Sequence, residues 1–377
     1  MKRVLNILIP GVLSLIISWL FVLVPFSLSL FNTSQSIKEQ YDLMDAFLVI
    51  KNSGKNYSAR ATDDINIAIV DISHVFDRDS IADVLETILA QDPLVLGFDV
   101  SLSENYYTAT EERLSSILKN NPKVVFPCRL LDEEKPNSTS FLNVSRQFFL
   151  EFEEFPYFNE SAANVDMEGM GKMVRKYTPH LYLRGKKVET FPIRILHQLD
   201  SLKYLEAIGK GDNPRYINFR KASFIPVLGY GDVFRDNLDL LKGRIVLVGD
   251  LADEADRFNT PIDSRLSGVA LHAATLDTIF NGHTIKEIPR WLSVLIAFIV
   301  SCLTIMFFRQ IKRKTSWSGI WIPLVQTLLI FIFICLSYCL FAGLCIYIQP
   351  IYILLAIGFV EVSDTLYDKL LSIKVMR

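Results

Sequence analysis

The stretch at residues 243–250, GRIVLVGD, decides the fold class of this 377-residue chain. An aliphatic run between glycines that ends in an aspartate is typical of a strand buried on both faces of a parallel sheet. Two upstream segments share the pattern, residues 65–72 ending in Val70-Asp71-Ile72 and residues 94–100 reading LVLGFDV. Residues 79–90 between them carry apolar residues on one helical face. Strand, helix, strand predicts an α/β domain with a mainly parallel, helix-covered sheet.

The pattern continues on both sides of these segments. Thr108 and Glu111 have capping-box spacing and predict a helix over residues 108–119, followed by a strand near 124–126. Residues 131–159 are acidic, aromatic and irregular, and we interpret them as an insertion or long loop. Short strands are predicted at 172–177, 180–183 and 216–219, and helices at 36–50, 191–202 and 268–281.

Long uncharged runs flank this polar middle. A bilayer core needs roughly 20 apolar helical residues, so residues 4–26 and 291–308 each predict one span. Residues 320–362 are too long for one crossing and contain a turn signal at Phe341, Ala342 and Gly343. We therefore expect four transmembrane helices, one N-terminal (1–30) and three C-terminal (291–308, 320–341 and 344–362). A cleaved signal peptide is the alternative for the first, but its apolar run exceeds a typical signal core.

Basic residues predict the orientation, because Lys and Arg near membrane ends are retained in the cytoplasm. Lys2 and Arg3 place the N-terminus inside, and the basic loop at 309–319 and the tail at 363–377 lie on the same side. Residues 31–290 then form one extracytoplasmic domain of a multi-pass protein, which fits a bacterial inner membrane with both termini cytoplasmic.

Composition excludes several function classes. The net charge of −2 and the lack of a basic stripe argue against nucleic acid. Cys128 is the one cysteine of the polar middle, so no disulfide is expected within it. The chain has no His-x-x-His or Cys-x-x-Cys spacing, no nucleophile elbow and no phosphate-binding glycine loop. We expect no metal, no cofactor and no enzymatic activity.

Three acidic residues occupy equivalent positions in the predicted sheet. Asp71, Asp99 and Asp250 each follow the carboxyl end of a predicted parallel strand, where ligands bind in open α/β sheets. If the strands are neighbours, this rim would hold a cationic or hydroxylated small molecule or a metal. Capping of the following helices and bonding to loop amides are the more common use of such residues. The full set of ligand-binding candidates is Asp71, Ser73, Arg78, Asp99, Asp250, Asp256 and His272, although a lone histidine at an apolar helical position is more often a core residue.

The ordered set of motifs resembles the CHASE-two class, the second type of cyclase and histidine-kinase associated sensory extracellular domain. The resemblance covers most of residues 41–291 and includes Tyr41-Asp42, the strand at Asp71, Arg78 and the stretch GFDV at 97–100. Gly169 with Arg175 and then Phe191-Pro192 match the central region loosely. The closest part, residues 241–282, contains KGRIVLVGD, Asp256, Phe258, Thr260-Pro261, Gly268-Val269 and His272-Ala273.

Two departures from the family pattern bear on function. His74, Val75 and Phe76 stand where members often carry a Trp-Pro-Trp-like segment, and only residues 361–377 follow the last span, where members typically carry a kinase or cyclase. The resemblance therefore implies a sensor that binds an unknown small-molecule or envelope signal and relays it to a separate cytoplasmic or membrane output protein, with a homodimer left open. The alternatives are a non-catalytic envelope scaffold and, less favoured, an unrecognised enzyme using the acidic rim.

Overall fold

The computed structural model describes residues 2–23, 43–53, 66–75, 77–100, 102, 106, 108–128, 160–162, 173–183, 186–209, 211–220, 225–235 and 241–375. The predicted insertion at 131–159 lies outside them. The chain divides into two compact units, residues 39–284 and residues 1–38 with 285–377. We call them the outer unit and the helical unit.

The elements run in the following order. The helices are α1 (Lys2–Leu23), α2 (Leu43–Ser53), α3 (Arg78–Ala90), α4 (Ala109–Asn120), α5 (Phe191–Leu199), α6 (Ser201–Ile208), α7 (Gly268–Phe280), α8 (Arg290–Lys314), α9 (Ser318–Leu344) and α10 (Pro350–Val375). The strands are β1 (Ile67–Asp71), β2 (Val95–Asp99), β3 (Val124–Cys128), β4 (Glu160–Ala162), β5 (Lys176–Tyr177), β6 (His180–Leu183), β7 (Lys186–Glu189), β8 (Arg215–Tyr216), β9 (Val227–Gly229), β10 (Ile245–Gly249), β11 (Arg257–Phe258), β12 (Leu266–Ser267), β13 (Lys286–Glu287) and β14 (Ile346–Tyr347).

The core of the outer unit is a six-stranded sheet with the order β4-β3-β2-β10-β1-β9. All of its strand pairs are parallel, which confirms the predicted sheet. Strand β10 is buried along its whole length and pairs with β1 on one side and β2 on the other. The three strongest strand signals in the sequence are therefore three adjacent strands.

Helices cover both faces of this sheet. Leu85 of α3 and Leu114 of α4 are fully buried in a core with Phe98 and Val248. On the other face, Gly97 allows α5 to approach, because a Cβ at this position would lie 2.9 Å from Ile195 and 3.0 Å from Phe191. Helix α7 is buried from Gly268 to Ile279, which is why its sequence is apolar nearly all round.

The structure corrects three predicted elements. The strand predicted at 172–177 is confined to Lys176–Tyr177. The helix predicted at 191–202 is two helices, because Asp200 leaves the helical conformation and its side chain caps α6 through the amides of Leu202 and Lys203. The strand predicted at 216–219 is confined to Arg215–Tyr216. The capping box at Thr108 and Glu111 is confirmed.

A buried ion pair joins α2 to the rest of the outer unit. The guanidinium of Arg175 donates to both carboxylate oxygens of Asp45 at 2.9–3.2 Å. Asp45 is 1% exposed. Two desolvated charges are held only because they compensate each other.

We expect Asp45→Asn to lower the free energy of unfolding by roughly 3–5 kcal/mol, since it removes the negative charge that contacts the buried guanidinium of Arg175. The control is Glu86→Gln, which removes one carboxylate from the exposed pair with Arg113 and should cost about 0.5 kcal/mol or less. Chemical denaturation of both variants checks this, and equal effects would contradict it.

The helical unit contains three helices long and apolar enough to cross a membrane, counted over the described residues: 290–314, 318–344 and 350–372. The apolar stretch of α1 is shorter, Leu5–Leu20. Helix α9 extends beyond the predicted turn at Phe341–Gly343 to Leu344, and Cys345 takes the left-handed conformation that ends it.

Polar contacts tie the helices of this unit together. Ser14 of α1 donates to the carbonyl of Ala356 at 2.7 Å, and Tyr367 donates to Asn6 at 3.0 Å. Between α8 and α10, Arg309 donates to Asp364 at 2.6 and 2.9 Å, and Lys312 lies 3.5 Å from the same carboxylate. Ionisable side chains in apolar helices usually point into the helix bundle and pair with an opposite charge, as Asp364 does here.

Asp364→Asn should destabilise the helical unit by roughly 1–3 kcal/mol, because Asp364 is 2% exposed and its loss leaves Arg309 without a carboxylate acceptor there. Asp368→Asn is the matched control, since that side chain is 63% exposed and 3.6 Å from Arg309. Thermal unfolding of the full chain in one detergent compares the two, and a larger effect of Asp368→Asn would count against the buried contact.

Candidate functional site

The sheet brings two of the three predicted rim carboxylates onto one face. Asp71, Gly249 and Asp99 are directly opposite one another in the registers of β1, β10 and β2. Side chains alternate along a strand, so Asp71 and Asp99 share the face covered by α5 and α7. Asp250 is one residue further along and does not share their register. The predicted convergence of all three carboxylates is therefore corrected to Asp71 and Asp99, with β10 between them.

Asp71 and Asp250 bond to loop amides. The Asp71 carboxylate accepts from the Ser73 amide and hydroxyl, both at 3.0 Å, and from the Leu251 amide at 3.1 Å. Asp250 accepts from the amides of Ala252 and Asp253 at 2.7 and 3.0 Å. These contacts are the turn-forming use of aspartate that the sequence left open.

Arg78 lies in the first turn of α3 and is directed toward α4. It donates to the buried carboxylate of Glu111 at 2.8 Å, and its guanidinium lies 4.8 Å from the centre of the Tyr106 ring. Ser73 and Arg78 therefore have partners that organise the loops after β1.

Asp99, Asp256 and His272 form a group of titratable side chains at the same edge of the sheet, in which Asp256 is half-buried and the other two are nearly inaccessible. The Nε2 atom of His272 lies 3.9 Å from a carboxylate oxygen of Asp99, and the two side chains are 7% and 11% exposed. Asp256 accepts from the Gly268 amide at 3.1 Å, at the start of α7. A Cβ at position 268 would collide with the Asp256 carboxyl group, so glycine is required there. The ring of Phe191 packs edge-on against His272 at 5.0 Å.

Burial is the largest cause of the pKa shifts of these three side chains, because it disfavours their charged forms. Desolvation raises the pKa of Asp99 to about 7. Burial lowers the pKa of His272 to about 4, which the nearby Asp256 carboxylate partly opposes. The pKa of Asp256 is also raised, first by burial and then by the negative charge of Asp99. Among the described residues no hydrogen bond reaches the Asp99 carboxylate.

A small cavity of about 30 Å³ lies beside His272, enough for one or two water molecules. Its wall includes Lys176, Tyr177, Thr190 and Thr275. The Tyr177 hydroxyl is buried, and burial raises the pKa of that phenol while the charge of Arg215 opposes the shift. Lys176 and Tyr177 lie in the strand predicted at 172–177, but nothing in the sequence indicated that they line a cavity beside His272, because the pairing of β5 with β8 joins distant parts of the chain.

Within the described ranges no group of three His, Cys, Asp or Glu side chains has the geometry to hold a metal ion. The arrangement can instead bind a proton or a small polar cation, because a buried carboxylate gains from any partner that compensates its charge.

An α/β domain with a parallel sheet, a buried acid–histidine group at its carboxyl edge and apolar helices in the same chain is the structural class that these observations define. The family model of the CHASE2 domain, a sensory extracellular domain, matches residues 17–307. The chain therefore belongs to the CHASE2 family and is a membrane protein with a sensory domain. Comparison with curated proteins and with solved structures found no match.

The opposite pKa shifts of Asp99 and His272 predict how the folding stability of single variants depends on pH. In Asp99→Asn, His272 binds a proton more readily in the unfolded than in the folded chain, so stability should rise between about pH 4 and 6.5. In His272→Gln, Asp99 holds its proton more tightly when folded, so stability should fall between about pH 4 and 7. Each slope is at most about 1.4 kcal/mol per pH unit.

The wild type should show an intermediate slope, since its two contributions have opposite signs. Asp256 adds a falling contribution to all three proteins and does not change their order. Unfolding midpoints of the full chain measured from pH 4 to pH 7.5 check the order. Parallel curves for the three proteins would contradict the assigned protonation states.

Proposed function

We propose that the outer unit senses a small polar signal at the group formed by Asp99, Asp256 and His272, and that the transmembrane helices relay its binding to a separate output protein. The observation that carries this proposal is the buried Asp99 carboxylate, whose pKa near 7 reflects desolvation. Membership of a sensory family supports the role.

The chemistry of the group favours a cationic or hydroxylated signal. A cation or a hydrogen-bond donor beside Asp99 would stabilise its ionised form and offset the desolvation cost. His272 is neutral at neutral pH and adds a donor or an acceptor without adding charge. A ligand shifts the equilibrium between two conformations of a protein only by its difference in affinity for them. A carboxylate that is buried in one conformation and more exposed in the other would bind a cation with different affinity in each.

The topology that we propose has residues 31–290 outside the cytoplasm, a first span formed by α1, three further spans and both termini inside. The basic residues at 309–314 support this orientation. The contacts of Asp364 with Arg309 and of Ser14 with Ala356 connect α8, α10 and α1. Tied helices move together, which suits a relay to a partner protein or to a second copy of the chain.

Ligand screening with the full chain in nanodiscs tests the sensing step. We expect at least one of two classes, small ammonium compounds and polyols, to raise the unfolding temperature of the wild type. Asp99→Asn should abolish the shift. Asp250→Asn should retain it, because the Asp250 carboxylate only closes a loop turn.

The same assay distinguishes ionic from neutral recognition. Since Asp99 must ionise to pair with a cation, affinity for a cationic ligand should increase up to about tenfold per pH unit below pH 7 and level off above it. A response lost equally in Asp99→Asn and Asp250→Asn, or no response to any class, would refute the site.

The alternative role as an envelope scaffold is favoured by one observation. Helix α6 exposes Leu202 and Leu205, which are 75% and 57% accessible, and buries only Ala207. Exposed apolar side chains of this kind mark interaction surfaces when they are contiguous. Under the scaffold hypothesis Leu205→Glu would abolish partner binding and Asp99→Asn would not, so the two variants separate the hypotheses.

A further inference from the structure

A groove in the helical unit lies between the end of α8 and the beginning of α9. It has a volume of about 340 Å³. Its apolar lining consists of Phe307, Ile311, Trp321 and Val325. Gln310, Lys314 and Thr315 line the same groove.

Lys314 and Thr315 lie next to the turn between α8 and α9, whereas Phe307 and Val325 lie about two helical turns away from it. Phe307 belongs to the uncharged part of α8, whereas Lys314 is its last residue and follows the basic pair Lys312-Arg313. Since α8 is apolar enough to span a bilayer and its last turn is basic, this end lies at the level of the lipid headgroups. Tryptophan is enriched at that level because its ring is amphipathic.

The charges of α8 are divided between two of its faces. Arg309 and Lys312 are directed toward α10, where they contact Asp364. Lys314 is on the groove face, and no acidic partner for it occurs among the described side chains. Arg313 is exposed and does not line the groove. The groove therefore presents one cation above an apolar slot.

We propose that this groove binds an anionic phospholipid, with the phosphate beside Lys314 and Gln310 and one acyl chain along Phe307 and Ile311. The arrangement matches the two parts of the ligand, because a fixed cation attracts the headgroup and the exposed apolar wall accepts hydrocarbon. A neutral phospholipid fits the same slot but gains less from Lys314.

Quenching of Trp321 fluorescence tests the site in the intact chain. The protein is reconstituted in phosphatidylcholine bilayers with a small fraction of brominated phosphatidylglycerol or brominated phosphatidylcholine. The Trp321 signal is the difference between the wild type and Trp321→Phe, because Trp19, Trp291 and Trp317 also fluoresce. We expect the brominated anionic lipid to occupy the groove roughly fivefold more than the zwitterionic one, the preference that one nearby lysine supplies.

Two matched variants identify the cause of this preference. Lys314→Gln should abolish it, while Arg313→Gln, which removes the same charge from the adjacent residue, should keep most of it. Val325→Phe fills the slot without a change of charge and without a new tryptophan, and it should weaken quenching by both lipids. Added inorganic phosphate should not compete, which distinguishes a lipid headgroup from a free phosphate.

Equal quenching by the two lipids would overturn the proposal. An equal loss in Lys314→Gln and Arg313→Gln would also overturn it, because it would show a general surface charge instead of a site. Circular dichroism of each variant confirms that the helices are retained.

Discussion

The parallel pairing of β10 with β1 and β2 is the constraint on which the outer unit depends. Because β10 is buried on every residue, its sequence must be aliphatic, and its neighbours must present apolar faces to two layers of helices. The same pairing aligns Asp71, Gly249 and Asp99 at one edge. Val269 packs onto Gly249, where a Cβ would approach it to 2.9 Å, so α7 begins at this edge. That start places His272 one turn further along, beside Asp99.

Three aspartates with little solvent exposure differ in whether a positive charge compensates the carboxylate. Asp45 and Asp364 are 1% and 2% exposed, and each is held by an arginine. Their charges are compensated, so they join elements. Asp99 is also largely buried, but the basic side chain beside it in the described part of the chain is the imidazole of His272 at 3.9 Å, which is neutral at neutral pH. Only the third group gains strongly from an added cation or proton, which is why it is the stronger candidate for sensing.

The sequence predicted the elements whose signals are local. The strands β1, β2 and β10 have uninterrupted apolar runs, and the helix α4 begins with a capping box, so their types and approximate bounds follow from pattern and propensity. The break at Asp200 was missed because apolar spacing continues across it. The strands β5 and β8 were predicted near their positions, at 172–177 and 216–219, but too long, because only their pairing with each other defines their bounds.

For the candidate site, the sequence indicated the residue types but not which of the aspartates closes a loop turn and which lies beside His272. Strand-end position identified Asp71, Asp99 and Asp250 equally. The strand order and the period of two were needed to show that Asp250 does not share the register of the other two, and the loop amides show that Asp71 closes a turn. The contact of His272 with Asp99 joins residues 173 positions apart in the chain, which no local pattern encodes.

A carboxyl group with a pKa near 7 suits either general acid–base catalysis or ligand sensing, so the shift of Asp99 does not choose between them. The geometry of its neighbour is more informative. Proton transfer between side chains needs a hydrogen bond of about 2.6–3.2 Å, and the separation of 3.9 Å between Asp99 and His272 is longer than that. At neutral pH the pair is therefore a carboxyl group that is only partly ionised and a neutral imidazole, with no hydrogen bond between them and room for a third partner. A group in this state responds to what binds it, which agrees with the sensory family to which the chain belongs.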